Sequence, residues 1–384
     1  MTVDPLSEVL NVVNRKDLAE VGGSHNQKGI EFQRHWAVMR MFELEQERTK
    51  DFLLLFEAIQ DVAILDSCSA PTAICIYQVK KKDRNEWKWP DLTALGTPKT
   101  LRKSTSVAKN KPLARVQNSP LGKLYASVHA FNTLKSSGHF VSNVGCDLPL
   151  AGGTNAATSV PCALSALATD HRDLLSKSLA TIHAAGEPAP NLSNIHLGKV
   201  AIPVDDPGKY IVGLVHIFLE NRSARHAGQA RALVESLLAK IAPLGARTDT
   251  CKTFVEMREQ QGYSKSEFVD ALGTLETLPD LQANLETWLS QLAQEGMGFM
   301  EITTIRSAAA SIYRRQLLGA RSNDEEQLIL ECIEWLAARP DPALLRPFFQ
   351  EAYNDLHGKH PSMKVPELLA HFALQAVNKC VDQT

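Results

Sequence analysis

Phe56-Glu57-Ala58-Ile59-Gln60-Asp61-Val62 and, after a turn of small residues, Ala73-Ile74-Cys75-Ile76-Tyr77-Gln78-Val79-Lys80 are the segments that decide the fold. The run Phe52 to Leu65 is rich in strand formers, and Ala73 to Val79 is a short apolar run bounded by Pro71 and a lysine cluster. Both predict strands, separated by a turn around Ser67, Ser69 and Ala70. Side chains alternate along a strand, so Glu57, Ile59 and Asp61 are expected on one face of the first, and Ile74, Ile76, Gln78 and Lys80 on one face of the second. An acidic residue on one strand and a Gln-x-Lys at the C-terminal end of its neighbour would bring a carboxylate, an amide oxygen and an ammonium together.

Upstream, residues 26 to 49 read as one long helix, with Phe32, Trp36, Met39 and Phe42 three or four apart along a single face. Downstream, the polar stretch from Lys80 to about Lys111, punctuated by Pro90, Pro98 and Pro112, predicts loops with a short helix. Leu121 to Leu134 is expected as a helix, His139 to Val144 as a buried strand, Cys162 to Ala185 as helix and Ile195 to Val204 as a strand. Beyond about Asp206 amphipathic segments follow one another, near 208 to 221, 225 to 242, 248 to 261, 264 to 273, 279 to 294, 299 to 318, 323 to 338, 342 to 357 and 365 to 380, with no convincing strand. The expected architecture is a mixed α/β domain over residues 1–222, its sheet flanked by helices, followed by an all-α module over residues 223–384 for oligomerisation or partner binding.

The chain has 384 residues, enough for two or three domains that fold without disulfides or metal. Its seven cysteines are scattered and never form Cys-x-x-Cys, so neither a disulfide framework nor a zinc site is expected. Charged residues interrupt the N-terminal apolar positions and no run approaches the ~18 apolar residues of a membrane span, which predicts a cytoplasmic protein away from membranes. There is no Walker-type phosphate loop, Gly-x-Gly-x-x-Gly, His-Glu-x-x-His or Gly-x-Ser-x-Gly, so ATP hydrolysis and the common protease and lipase chemistries are not expected of this chain alone. The histidines do not cluster in sequence beyond His357 and His360.

The formal charge of -2 argues, taken alone, against a nucleic-acid partner. Its distribution argues the other way. Gln78 to Lys123 holds twelve basic and three acidic residues, a net +9 over 46 residues, leaving -11 for the rest. The basic run starts inside the candidate site and carries Trp87 and Trp89, and Lys81, Lys82, Arg84, Lys88, Arg102, Lys103, Lys109 and Lys111 are candidate phosphate contacts. No recognition helix for reading bases is apparent. At the site itself, a hard cation such as Mg2+ takes oxygen ligands, which Asp61, the Gln78 side chain, the Val79 carbonyl and Glu57 could supply. Such an ion serves phosphodiester hydrolysis by activating water and offsetting charge on the phosphate, and Lys80 could orient the water and oppose that charge. Gln-x-Lys also arises by chance at strand ends, and Asp61 could equally be a turn residue.

Gly29-Ile30-Glu31-Phe32-Gln33, Phe56 to Val62, Tyr77 to Lys80 and Phe140-Val141-Ser142-Asn143 together resemble the landmarks of the nuclease domain in bacterial anti-phage effectors. That domain belongs to the PD-(D/E)xK restriction-endonuclease-like superfamily and is found as the CBASS endonuclease effector, as the Lamassu nuclease subunit and beside HerA-type ATPases. The resemblance covers roughly residues 20 to 225. It implies Mg2+-dependent cleavage of double-stranded DNA with little sequence preference, Mn2+ being a possible substitute, with Asp61, Gln78 and Lys80 at the motif positions. It also implies a homo-oligomer and control by other chains: an SMC-like or HerA-type ATPase with an accessory subunit. Gln78 departs from the usual Glu or Asp and removes one negative charge, for which Glu57, Glu31 or Gln33 could compensate. The rival expectation is a catalytically inactive DNA-binding or scaffold subunit.

Overall fold

The computed structural model describes residues 4–15, 18, 27–98, 115–245, 250–277, 281–317, 321–340 and 342–381. The chain divides into two compact units, Met1–Ile211 with Leu238–Phe268, and Val212–Leu237 with Val269–Thr384.

The first unit is built on a seven-stranded mixed sheet in the order β7-β8-β5-β3-β2-β1-β9. Strands β1 (Leu53–Phe56), β2 (Val62–Leu65) and β3 (Ala73–Lys80) form an antiparallel meander. β3 then pairs in parallel with β5 (Lys135–Ser142), and β5 with β8 (Ile195–Lys199), while the short β7 (Cys162–Ala163) closes one edge. The parallel pairing of β3 and β5 requires a crossover, which includes the short helix α3 (Trp89–Thr93) and carries helix α4 (Pro120–His129) across one face. A separate two-stranded ribbon pairs β4 (Trp87–Lys88) with β6 (Cys146–Asp147). Leu53, Leu54 and Leu55 are all buried, as expected where both faces of a central strand are covered.

The expected single strand over Phe52 to Leu65 is two strands. Fourteen residues is long against the usual five or six, and the run folds back on itself at Glu57–Asp61. Glu57 adopts φ +51°, its N–H donates to the Asp61 carbonyl over 3.1 Å, and Phe56 pairs with Val62. Glu57, Ile59 and Asp61 therefore do not share a strand face: Glu57 is exposed while Ile59 and Asp61 are buried.

Helix α2 (Gln27–Gln46) forms as expected, and its predicted stripe of Phe32, Trp36, Met39 and Phe42 is buried. Trp36 lies against Tyr77 of β3 with ring centroids 4.7 Å apart, and Phe42 meets Phe268 edge-on at 5.1 Å. On the same sheet face Tyr77, His139 and His196 stack across β3, β5 and β8 at 4.8 and 5.0 Å, in the ladder register that sets them side by side.

Three elements differ from the sequence expectation. Helix α1 (Pro5–Val13) precedes α2, capped by Asp4, whose side chain accepts from the Ser7 N–H, with Pro5 in the first turn. Cys162 to Ala185 is only partly helical: β7 and a 3-10 turn come before α5 (Thr169–Leu179). The region read as wholly helical contains β9 (Gly262–Ser264), between α8 (Phe254–Gln261) and α9 (Lys265–Thr277). β9 pairs with β1, Leu54 facing Tyr263, and so supplies the far edge of the sheet. Three residues between two helices carry too little alternation to announce a strand.

Helices α6 (Pro207–Ser223) and α7 (Ala230–Ile241) follow β8, and after α9 the second unit continues with α10 (Leu281–Gln294), α11 (Phe299–Leu317), α12 (Asn323–Ala337), α13 (Leu345–His357) and α14 (Val365–Val381). α14 packs against α10, α11, α12 and α13. It is buried on nearly every side, through Leu368, Ala370, Phe372, Ala373, Leu374 and Val377, as expected of a central helix. Phe372 meets Trp335 and Phe349 edge-on, both at 5.2 Å. Among the described residues no helix is long and apolar enough to cross a membrane.

Candidate active site

Asp61 sits at the mouth of β2, directly after the hairpin turn, and is 3% exposed. One carboxylate oxygen accepts the Val79 backbone N–H at 2.6 Å and the other accepts Lys80 Nζ at 3.2 Å. The β2–β3 ladder, with Val62 opposite Tyr77, brings Asp61 to the Gln78–Lys80 end of β3. Of the expected trio, Asp61 and Lys80 are in direct contact, and Gln78 lies two residues before Lys80 on the same strand, with its amide hydrogen-bonded to Gln60.

Gln78 is 1% exposed, on the α4 face of the sheet with Ile74 and Ile76. Its Nε2 donates to Gln60 Oε1 at 3.4 Å, and Gln60 Nε2 donates to Ser127 Oγ of α4 at 3.0 Å. Its Oε1 is buried with no hydrogen-bond partner among the described residues. A buried acceptor without a donor costs about 1–3 kcal/mol, unless a ligand absent from the structure supplies the partner. A buried amide oxygen and a carboxylate on adjoining strands are the oxygen donor types that a hard divalent cation takes, so the residues fit such an ion in kind. The third candidate ligand, the Val79 carbonyl, accepts from Gln33 Nε2 of α2 at 3.3 Å. Gln33 therefore does reach in from the helix, to the backbone, while Glu31 is exposed.

Glu57 sits on the outer side of the hairpin turn. Gly245, at φ +75°, passes so close that a Cβ there would lie 2.8 Å from the Glu57 Cβ and the Phe56 carbonyl oxygen. Only glycine fits that approach.

Beyond β3 the chain is held by Asn143, whose side chain accepts from the Lys82 N–H and donates to the Lys82 carbonyl, both at 2.9 Å. Trp87 donates from its indole to Ser142 Oγ at 2.9 Å and packs edge-on against Phe140. Trp89 is buried and donates to the Gly96 carbonyl. The two tryptophans are anchors of this loop, not an exposed stacking pair. Within the basic run, Lys81 pairs with Asp83 at 3.1 Å and Lys82 with Asp91 at 2.9 Å, and Lys82 Nζ stands 4.7 Å from the Trp87 ring centre. Lys82 and Lys88, its side chain and its backbone N–H respectively, hold the Asp91 carboxyl below the usual range, with the nearby lysine charges adding to the effect. Arg84 and Lys88 are exposed; Arg102, Lys103, Lys109 and Lys111 lie outside the described residues.

The family of Cap4 dsDNA endonuclease domains matches residues 21–243. The chain belongs to it. As a Cap4-family nuclease it is a DNA endonuclease of anti-phage defence, and the mixed sheet carrying an acid and a Gln-x-Lys on neighbouring strand ends fits the PD-(D/E)xK superfamily. No curated protein and no solved structure matches the chain. The Cap4-family match opens before α2 and ends before β9, so the sheet edge at Gly262–Ser264 lies outside it.

Sequence reading missed Gln60 and Ser127. Gln60 lies in the quoted Phe56 to Val62 landmark, but a strand reading gave it no role, and Ser127 stands on a helix 67 residues away. It also missed His129, His183 and Glu187, whose potential ligand atoms lie within 4.8 Å of one another. The two imidazoles are stacked at 4.1 Å and nearly parallel, at 2°. Lone pairs lying in parallel ring planes do not converge on one ion. His183 is further engaged by Tyr125 Oη at 2.7 Å and the Pro188 carbonyl at 2.8 Å.

Proposed function

We propose that this DNA endonuclease is Mg2+-dependent and cleaves double-stranded DNA with little sequence preference, as the effector subunit of an anti-phage or anti-plasmid defence complex. The observation that carries the reading is the buried Gln78 Oε1, without a partner among the described residues, near the strand end where Asp61 and Lys80 meet. Asp61, Gln78 Oε1 and the Val79 carbonyl would hold the cation. When bound, it supplies Lewis-acid stabilisation of charge on the phosphate and a more acidic water.

The chain's own residues do the rest. Asp61 keeps Lys80 Nζ at the strand end, where the ammonium orients the attacking water and opposes the charge that grows on the phosphate. Arg84 and Lys88 grip the DNA backbone without reading sequence, together with the basic residues that follow. Because one such site cuts one strand, a double-strand break calls for two copies, which supports a homo-oligomer. The chain has no Walker-type loop, which supports control by a separate ATPase of the SMC-like or HerA type with an accessory subunit.

Plasmid cleavage tests the reading. The purified chain, alone and together with the products of its neighbouring genes, is incubated with supercoiled plasmid and Mg2+. Nicked and linear products that vanish with EDTA are expected. Intact plasmid under every condition, with DNA still bound in a salt-dependent manner, would instead establish a catalytically inactive DNA-binding subunit.

A further inference from the structure

Gln60 and Ser127 form, together with Gln78, a chain of hydrogen bonds whose direction is fixed at one end. Ser127 Oγ donates to the Lys123 carbonyl, one helical turn back, at 3.0 Å. A carbonyl only accepts, so the hydroxyl proton is committed there and the serine lone pairs face Gln60. Gln60 must then present its NH2 to Ser127, at 3.0 Å, and its oxygen to Gln78. Gln78 in turn must present its NH2 to Gln60, which leaves its own oxygen pointing away from the relay and without a partner among the described residues. All three side chains are at most 2% exposed, so water does not scramble the order.

We propose that Gln60 and Ser127 are positioning residues that hold the Gln78 amide with its oxygen, not its NH2, toward the cation. The inference rests on the cation reading of the site given above. It supplies what an amide ligand needs and a carboxylate does not. The two oxygens of Glu or Asp are equivalent, whereas an amide turned by 180° offers the ion an NH2 group in place of a ligand. A site with Gln at this position therefore depends on a partner that fixes the amide, and the relay from the Lys123 carbonyl does so.

The test is a double-mutant cycle on the full chain, read as Mn2+ affinity by calorimetry with no DNA present. Gln60→Leu and Ser127→Ala are each made in the natural chain and in a Gln78→Glu chain. With Gln78 present, each is expected to weaken Mn2+ binding about tenfold, the size typical of residues that orient a metal ligand. With Glu at position 78, each is expected to cost less than about twofold, because the orientation no longer matters. Ser127→Ala, a small change on a helix, keeps the test open if the buried Gln60→Leu change impairs folding. Equal losses in both backgrounds would make the relay a purely structural element and overturn the proposal. Unchanged affinity in both would also overturn it. A Gln78→Leu control separates the two levels: if it binds Mn2+ like the natural chain, the cation reading itself fails. If it loses binding while Gln60→Leu and Ser127→Ala do not, the relay alone fails.

Discussion

Lys80 Nζ lies 3.2 Å from Asp61 Oδ1, across two neighbouring strands, while the other carboxylate oxygen accepts the Val79 N–H at 2.6 Å. The carboxylate thus fixes both the lysine and the end of the strand that carries it. Asp61→Ala and Lys80→Ala are each expected to lower plasmid cleavage by about a hundredfold or more, the order found when one electrostatic element of an active site is removed. Gel-shift binding of the same DNA in EDTA is expected to change little. Either variant cutting at the natural rate would remove its residue from the chemistry.

Gln78→Glu adds a negative charge where the natural chain has a neutral oxygen donor. The Mg2+ concentration giving half-maximal cleavage is expected to fall severalfold, since affinity for a hard cation follows ligand charge. Titrating Mg2+ into both proteins and following linear plasmid is the measurement, and an unchanged or higher midpoint would contradict a cation at this position.

Glu8 of α1 is buried, and its carboxylate accepts from the backbone N–H groups of Asn132, Thr133 and Leu134 at 2.7 to 3.2 Å. These three donors form the turn that leads into β5. Glu8→Ala leaves them without an acceptor and is expected to lower stability by about 2–3 kcal/mol. The urea midpoint of the first unit's unfolding transition, compared with Glu8→Gln, checks this.

Burial pushes the His139 imidazole down to about 4, with His196 and Arg40 adding to the effect, while Ser137 Oγ contacts its Nε2 and Tyr77 stacks on the ring. An exposed histidine takes up a proton near 6.5. Between these values the unfolded chain binds the proton and the folded chain does not, so stability falls as pH drops from about 6.5 toward 4 and is unaffected by this residue above 6.5. The full loss is on the order of 3 kcal/mol at ~1.4 kcal/mol per pH unit. His139→Asn is expected to flatten that slope in melting temperatures taken between pH 7 and 4.5. An equally steep profile would place the titration elsewhere.

Much of this was legible in the sequence, for physical reasons that can be named. The α2 stripe of Phe32, Trp36, Met39 and Phe42 repeats at helical spacing because one face must be buried, and the pattern survives any tertiary detail. Asp61, Gln78 and Lys80 could be brought together because adjacent strands in a meander set their ends side by side. The turn at Glu57–Asp61 was not legible, because buried apolar residues run through it without a glycine or proline to mark it. Gln60 and Ser127 escaped for another reason: hydrogen bonds between distant elements leave no local period. The anchoring of Trp87 and Trp89 was not legible because an aromatic in a basic run looks the same in sequence whether it faces a ligand or its own core.

The pairing of Leu53–Leu55 with Gly262–Ser264 also orders events during synthesis. When the Asp61–Lys80 strand ends have already left the ribosome, β1 still has an open side, and its partner has not yet been translated. The nascent chain must keep that hydrogen-bonding edge from neighbouring polypeptides until Ser264 emerges. A product released early, after the family-matched residues 21–243 but before β9, would carry the complete set Asp61, Gln78 and Lys80 on an unfinished sheet. Premature termination is thereby expected to yield sticky, poorly folded fragments, and not a small free nuclease loose in the cell that made it.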